Sequence, residues 1–259
     1  MTIYHYRRIT SALDILGVRE LAHLICEYLA PIDVISLRHV NNETKHVLTD
    51  DDINIAFKVS LQEGLRLWGL TTEILQKLLY NANQCCCFLS GSFLLHTMIR
   101  DFHNIGDMDF YLIPRINRTG ILTRGLRSVT KQLKQLRFLK RNGEEADGES
   151  YYEESLFEVS NFARKIAGNT RCIQLINCRN PSRLPIEIVG DFDIDIVRFY
   201  TSYTLTCPII DLNATNYIRF YHILKRKFAM RPEYGTFNAV RRRKYADKGF
   251  TLCNCANIF

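Results

Sequence analysis

One stretch constrains the fold of this chain more than any other. It reads Cys87-Phe88-Leu89-Ser90-Gly91-Ser92-Phe93-Leu94-Leu95, then Gly106-Asp107-Met108-Asp109-Phe110-Tyr111-Leu112. An apolar run ends in a Gly-Ser turn, a helical pattern follows, and a strand then carries two carboxylates two residues apart. Side chains alternate along a strand, so Asp107 and Asp109 project from one face. Two hard oxygen ligands side by side suit Mg²⁺, which favours carboxylates plus substrate phosphates. Gly91 lets the backbone approach closely, and the N-terminus of the following helix favours a phosphate. Together they predict a site for a metal-bound nucleoside triphosphate. Each half also fits a simpler reading, an ordinary turn and a solvated strand edge.

Later segments continue the pattern. Thr170-Arg171-Cys172-Ile173-Gln174-Leu175-Ile176 reads as a strand, and Pro185 suits the first turn of a helix. Phe192-Asp193-Ile194-Asp195-Ile196-Val197-Arg198-Phe199-Tyr200 alternates acidic and apolar residues and reads as another strand. On it Asp193 and Asp195 share a face opposite Phe192, Ile194 and Ile196.

Gly91-Ser92 followed by Asp107-x-Asp109 resembles the nucleotidyltransferase superfamily, the DNA polymerase beta-like fold. The order over residues 84–255, ending in Lys244-Tyr245-Ala246-Asp247-Lys248-Gly249-Phe250, is similar to uncharacterised members from fungi and large DNA viruses. The resemblance implies an α+β fold, a mixed sheet with flanking helices. It also implies a third carboxylate on a later strand, Asp193 first and Asp195 in reserve. Metal ligation by Asp107, Asp109 and Asp193 is implied in the same way, with Mg²⁺ or Mn²⁺ as cofactor. In that family two Mg²⁺ ions align a hydroxyl for in-line attack on the α-phosphate.

The N-terminus carries a different signal. Leu21, Leu24, Ile25, Tyr28 and Leu29 keep helical spacing, Pro31 punctuates, and Val34, Ile35, Leu37 and Val40 continue on a second short helix. This resembles an F-box, with Arg19 standing where a proline is usual. The resemblance implies a Skp-type adaptor of a cullin ubiquitin ligase as partner, bound through Leu21, Ile25 and Leu29. An ordinary helical hairpin packed on the rest of the chain is the alternative.

The organisation expected is a helical module over 12–56, a linking helical region over 57–83, and a nucleotidyltransferase-like domain over 84–259. Leu61, Leu65, Trp68, Ile74, Leu75, Leu78 and Leu79 supply the apolar face of the linking region. Residues 142–155, with five glutamates, read as an exposed acidic loop.

The 259 residues are 47% hydrophobic, enough for a sizeable core. With no apolar run long enough to span a membrane and no leader, the expectation is an intracellular protein, cytoplasmic or nuclear. Nine cysteines then point to reduced thiols. Cys85-Cys86-Cys87 reads as core, and Cys253 and Cys255 form a lone Cys-x-Cys without the further ligands that zinc needs.

The chain is basic, and the charge is uneven. Between 225 and 248 stand Lys225, Arg226, Lys227, Arg231, Arg241, Arg242, Arg243, Lys244 and Lys248 against Glu233 and Asp247. That local excess equals the net charge of the whole chain, +7. Such a cluster can meet polyphosphate or a nucleic-acid backbone, and Lys225, Arg241 and Lys244 are the candidate NTP contacts. Tyr217, Phe220, Tyr221 and Tyr234 interleave with it and read more readily as core than as a stacking platform. Arg124, Arg127, Lys131, Lys134 and Arg141 make a second stripe opposite Leu126, Val129, Leu133 and Leu136, readable as a solvated helix face.

Two function classes stay open. The first is an Mg²⁺-dependent enzyme moving an NMP group from an NTP to a hydroxyl on nucleic acid, protein or a small molecule. The second is an inactive nucleotidyltransferase fold that serves as the recognition domain of an F-box-type adaptor. The intact carboxylates favour the enzyme.

Overall fold

The apolar run before Gly91 forms strand β1 (Cys85–Ser90), and the acidic strand forms β2 (Asp107–Pro114). They pair antiparallel, with Ser90 opposite Asp109. Helix α6 (Ser92–Ile99) connects them. The structure, a computed structural model, describes residues 19–40, 42–80, 85–103, 105–114, 124–141, 156–198, 200–204, 207–210, 221–230 and 237–253. The acidic loop at 142–155 and Tyr217, Phe220, Tyr234 and Cys255 lie outside the described residues.

Among the described residues five helices precede the sheet: α1 (Arg19–Tyr28), α2 (Pro31–Arg38), α3 (Asn42–Val47), α4 (Asp50–Leu67) and α5 (Thr72–Tyr80). After β2 come α7 (Arg124–Gln135), β3 (Leu139–Lys140), β4 (Phe157–Ile166), β5 (Asn169–Cys178) and α8 (Pro185–Gly190). Then follow β6 (Tyr200–Thr204), β7 (Cys207–Ile210), β8 (Lys227–Phe228), α9 (Phe237–Asp247) and β9 (Thr251–Leu252). The fold class is α+β: a mixed sheet with flanking helices, preceded by a helical N-terminal region.

Seven strands form the main sheet in the order β3-β4-β5-β2-β1-β6-β7. Its neighbours pair antiparallel except β2 and β5, which run parallel. Strand alternation divides β2 between two apolar clusters. Met108, Phe110 and Leu112 face the cluster shared with α1, α2, α4, α5 and α6. Tyr111 and Ile113 face a smaller one closed by Ile188 and Val189 of α8. Asp107 and Asp109 continue the second face, beyond the part that α8 covers.

The structure departs from the sequence-based expectations in several places. Helix α4 runs unbroken across residue 56, where a boundary was expected. Helix α1 buries Ala22 and Cys26, whereas Leu21, Leu24 and Tyr28 are exposed. Small side chains let α1 lie close on its neighbours, so the larger apolar residues turn outward. Ile25 and Leu29 are half-buried, and Leu29 packs on the core. Arg100, just past α6, grips Glu63 of α4 with two hydrogen bonds (2.8 and 2.6 Å) and donates to the Glu27 and Leu29 carbonyls (2.8 and 3.3 Å). The N-terminal helices therefore anchor at the end of α6 remote from Gly91.

The strand expected over Phe192–Tyr200 does not form. Ile194 makes an isolated bridge to Met230, Asp195–Val197 is a 3₁₀ turn, and β6 begins only at Tyr200. The Arg198 guanidinium folds back onto the Phe192 carbonyl. The Asp195 N–H donates to the Ala229 carbonyl (3.2 Å) rather than to a sheet neighbour. The cysteines divide as well. Cys26, Cys86, Cys87, Cys172 and Cys178 are reduced, but Cys253 is disulfide-bonded, contrary to the expectation of reduced thiols throughout.

Candidate functional site

Gly91 is the hinge of the site. Its φ of 83° lies in the region that favours glycine, and a Cβ built there would stand 2.3 Å from Asp109 Oδ2. Only a glycine lets the turn into α6 press against the Asp109 carboxylate. Ser92 follows, buried in the first turn of α6. Asp107 is half-buried on the same face of β2.

Asp109 is the most perturbed of the carboxylates. The residue keeps some exposure, yet its Oδ1 is sealed from solvent and has no hydrogen-bond partner among the described residues. Burial, and then the Asp107 charge, push its pKa up to about 7, against the pull of Lys244, Arg241 and Lys248. Two of the basic residues singled out in the sequence, Arg241 and Lys244, thus act on the carboxylate pair from α9. Lys225 instead lies exposed, its Nζ 6.0 Å from the Tyr221 ring centre.

The expected third carboxylate, Asp193, is engaged by a cation, and the reserve, Asp195, by a histidine. Asp193 is buried and ion-paired with Arg241. Phe192, next to it, packs on Tyr111 of β2 with ring centres 5.6 Å apart, so this segment lies over the carboxylate face. Asp195 is fully buried and spent on structure. Its carboxylate accepts from the His222 Nδ1–H (2.6 Å) and from the Ala229 N–H (2.7 Å). A carboxylate can only accept, so His222 carries its proton on Nδ1. Strand β5, the parallel neighbour of β2, sets Cys172 opposite Asp107 and Gln174 opposite Asp109. Among the described residues no three His, Cys, Asp or Glu side chains are grouped to hold a metal ion.

His96, which the sequence reading did not single out, meets Lys248 of the basic cluster, and Lys248 feels the charges of the pair. His96, 2% exposed on α6, donates from Nδ1 to the Asp101 carbonyl (2.6 Å). Its Nε2 meets Lys248 Nζ at 3.1 Å. Burial, and then the Lys248 charge, lower the His96 pKa to about 4. Burial, and then Lys244, lower that of Lys248 to about 8, while Asp109 and Asp107 oppose the shift. One signal for His96 was present in the sequence: it stands four residues after Ser92, on the same face of a helix.

Beyond the site, α7 behaves as a solvated helix: Val129 and Leu133 are buried, and Arg127, Lys131 and Lys134 are exposed. Among the described residues no helix is long and apolar enough to cross a membrane.

No family model matches this chain, and no curated protein matches it. It is similar to a solved structure described as "tRNA-processing enzyme (apo form I)", with a TM-score of 0.45 and 12% identity. It is similar to a second, "Structure of tRNA-processing enzyme complex 3", with a TM-score of 0.44 and 12% identity. Each likeness covers 70% of this chain and 43% of the other, less than half the length of those proteins.

Proposed function

We propose that the Gly91–Asp109 cleft binds a nucleoside triphosphate with a divalent cation and transfers its NMP group to a hydroxyl acceptor, the acceptor oxygen bonding to the α-phosphorus as the α–β anhydride breaks and pyrophosphate leaves. Asp109 carries this reading: a carboxylate pressed on a glycine turn, one oxygen buried without a partner, its charge disfavoured by Asp107. A cation relieves both the repulsion and the missing partner. Two carboxylates plus phosphate oxygens fit Mg²⁺ or Mn²⁺. Asp107 and Asp109 would hold the ion, and Asp193 would join them only by leaving Arg241. Once bound, the ion neutralises charge on the phosphates and orients the acceptor hydroxyl.

The chain's own residues do the rest. The N–H groups at the start of α6, behind Gly91 and Ser92, face the phosphates. Arg241 and Lys244 supply positive charge from α9. Nucleic acid, protein and small molecules all present the hydroxyl that this transfer requires of its acceptor.

A second reading has its own support. Strand β5, the parallel neighbour of β2, brings Cys172 and Gln174 rather than a carboxylate opposite Asp107 and Asp109. Leu21, Leu24 and Tyr28 form an exposed apolar stripe on α1, Leu24 being 51% and Tyr28 75% exposed. Such a stripe suits a protein partner, and a Skp-type adaptor is the one the F-box resemblance names. In that reading the cleft recognises a nucleotide without turning it over.

Incubation with α-labelled NTPs and Mg²⁺ or Mn²⁺ separates the two. The enzyme reading expects label on protein, RNA or a small acceptor, lost in Asp107→Asn and Asp109→Asn with the fold intact. Transfer retained in both variants would move the metal site elsewhere. Absence of transfer to every acceptor favours the recognition module.

A further inference from the structure

We infer that Lys248, set in place by His96, contacts the terminal phosphates of the nucleoside triphosphate at the Asp107–Asp109 cleft, an inference that rests on the nucleotide reading above. His96 shares the Ser92 face of α6, and its Nε2 holds the Lys248 ammonium at 3.1 Å, where Lys248 feels the Asp109 and Asp107 charges. Its tautomer is fixed from behind. The Nδ1–H donates to the Asp101 carbonyl, which leaves Nε2 as a bare acceptor for the Lys248 ammonium. His96 stays neutral at physiological pH, so it orients the ammonium without cancelling its charge.

Lys248 is fixed from its own backbone too. It follows the last residue of α9, and Gly249 (φ 80°) turns the chain there. The Gly249 N–H donates to the Ala246 carbonyl (2.8 Å) and the Phe250 N–H to the Tyr245 carbonyl (3.0 Å), a glycine-ended helix terminus.

The choice of tether identifies the ligand. A lysine kept only to neutralise Asp107 and Asp109 would pair with them directly. Among the described residues Lys248 makes no ion pair; its hydrogen-bond partner is a neutral imidazole. An ammonium has three donors, and two remain. Lys244, one helical turn earlier, adds like charge that a folded chain tolerates at a cost. Two carboxylates with a cation take the phosphate nearest the reacting centre, and the phosphates beyond it carry the charge that Lys248 answers.

Calorimetric titration of the full-length protein with ATP and with AMP, both in Mg²⁺ buffer, tests this. Lys248→Gln should weaken ATP binding about tenfold, the order expected for one hydrogen bond to a charged group, and leave AMP unchanged. His96→Asn keeps a donor for the Asp101 carbonyl and removes the acceptor for Lys248; it should weaken ATP alone. His96→Gln places an amide oxygen near the Nε2 position and should restore binding. The groups facing Lys248 are His96, Lys244, Tyr245, Asp107 and Asp109. ATP affinity of the wild type should fall as pH rises through about 8, and Lys248→Gln should flatten that limb. Wild-type ATP affinity in Lys248→Gln, or equal loss of ATP and AMP, overturns the inference and leaves the nucleotide reading standing. A wild type that binds neither nucleotide overturns both. If Lys248→Gln does not fold, the contrast between His96→Asn and His96→Gln decides.

Discussion

Gly91 and Asp109 are built against each other: any side-chain carbon at 91 would fall 2.3 Å from Asp109 Oδ2. The backbone there is already in the glycine-favoured region, with φ 83°. Gly91→Ala therefore combines backbone strain of about 1–3 kcal/mol with displacement of the carboxylate. We expect a lower melting temperature and loss of Mg²⁺-dependent ATP binding, read by thermal melts and calorimetry. Unchanged ATP binding in Gly91→Ala would show that Asp109 is not held by this turn.

Asp109 makes stability depend on pH. Its folded-state pKa, about 7, lies above its ordinary value, because burial and Asp107 disfavour the charge. The folded state thus holds this proton more tightly than the unfolded chain. The associated stability is present in acid and is lost as pH rises from about 4 through about 7. Asp109→Asn removes that loss. In metal-free buffer at pH 8 it should melt above the wild type, by about 2 °C or more, each kcal/mol being worth roughly 2–4 °C in a chain of this size. Mg²⁺ with ATP should raise the melting point of the wild type and leave that of Asp109→Asn unmoved.

Arg241 and Asp193 form one unit. Asp193 is buried, so removing its cation leaves an uncompensated charge, commonly costing about 3–5 kcal/mol. Arg241→Gln should be strongly destabilising, and Asp193→Asn should relieve part of that loss. Urea unfolding of the two single variants and the double variant measures the coupling. Strict additivity would mean the pair does not act as a unit.

The apolar stripe on α1 separates folding from partner binding. Leu24 and Tyr28 are exposed, so Leu24→Asp and Tyr28→Asp should change stability by less than about 0.5 kcal/mol. If a Skp-type adaptor binds here, both should abolish its capture. Cys26→Asp, which buries a charge beside α4, should unfold the helix instead. Loss of stability in Leu24→Asp would mean the stripe belongs to the core.

Much of the sheet is legible in the sequence, because β1, β2 and β5 are local apolar runs bounded by turn residues. Asp107 and Asp109 share a face by strand alternation alone. The Asp193–Tyr200 segment shows why alternation can mislead. Its acid-apolar pattern matches a strand, but Asp195 takes its partners from His222 and Ala229, a contact no local pattern contains. Helix α1 misleads for another reason. Hydrophobic size marks Leu21, Leu24 and Tyr28, whereas close helix packing selects the small residues Ala22 and Cys26. The meeting of His96 with Lys248 spans 152 residues of chain and is visible only in the fold.

The central claim is that Asp107 and Asp109 bind a nucleoside triphosphate through a divalent cation. Calorimetric titration of ATP into the wild type and Asp109→Asn, each with and without Mg²⁺, tests it most directly. ATP binding should depend on Mg²⁺ in the wild type and lose that dependence in Asp109→Asn. ATP binding that is indifferent to Mg²⁺ and equal in the two proteins would contradict it.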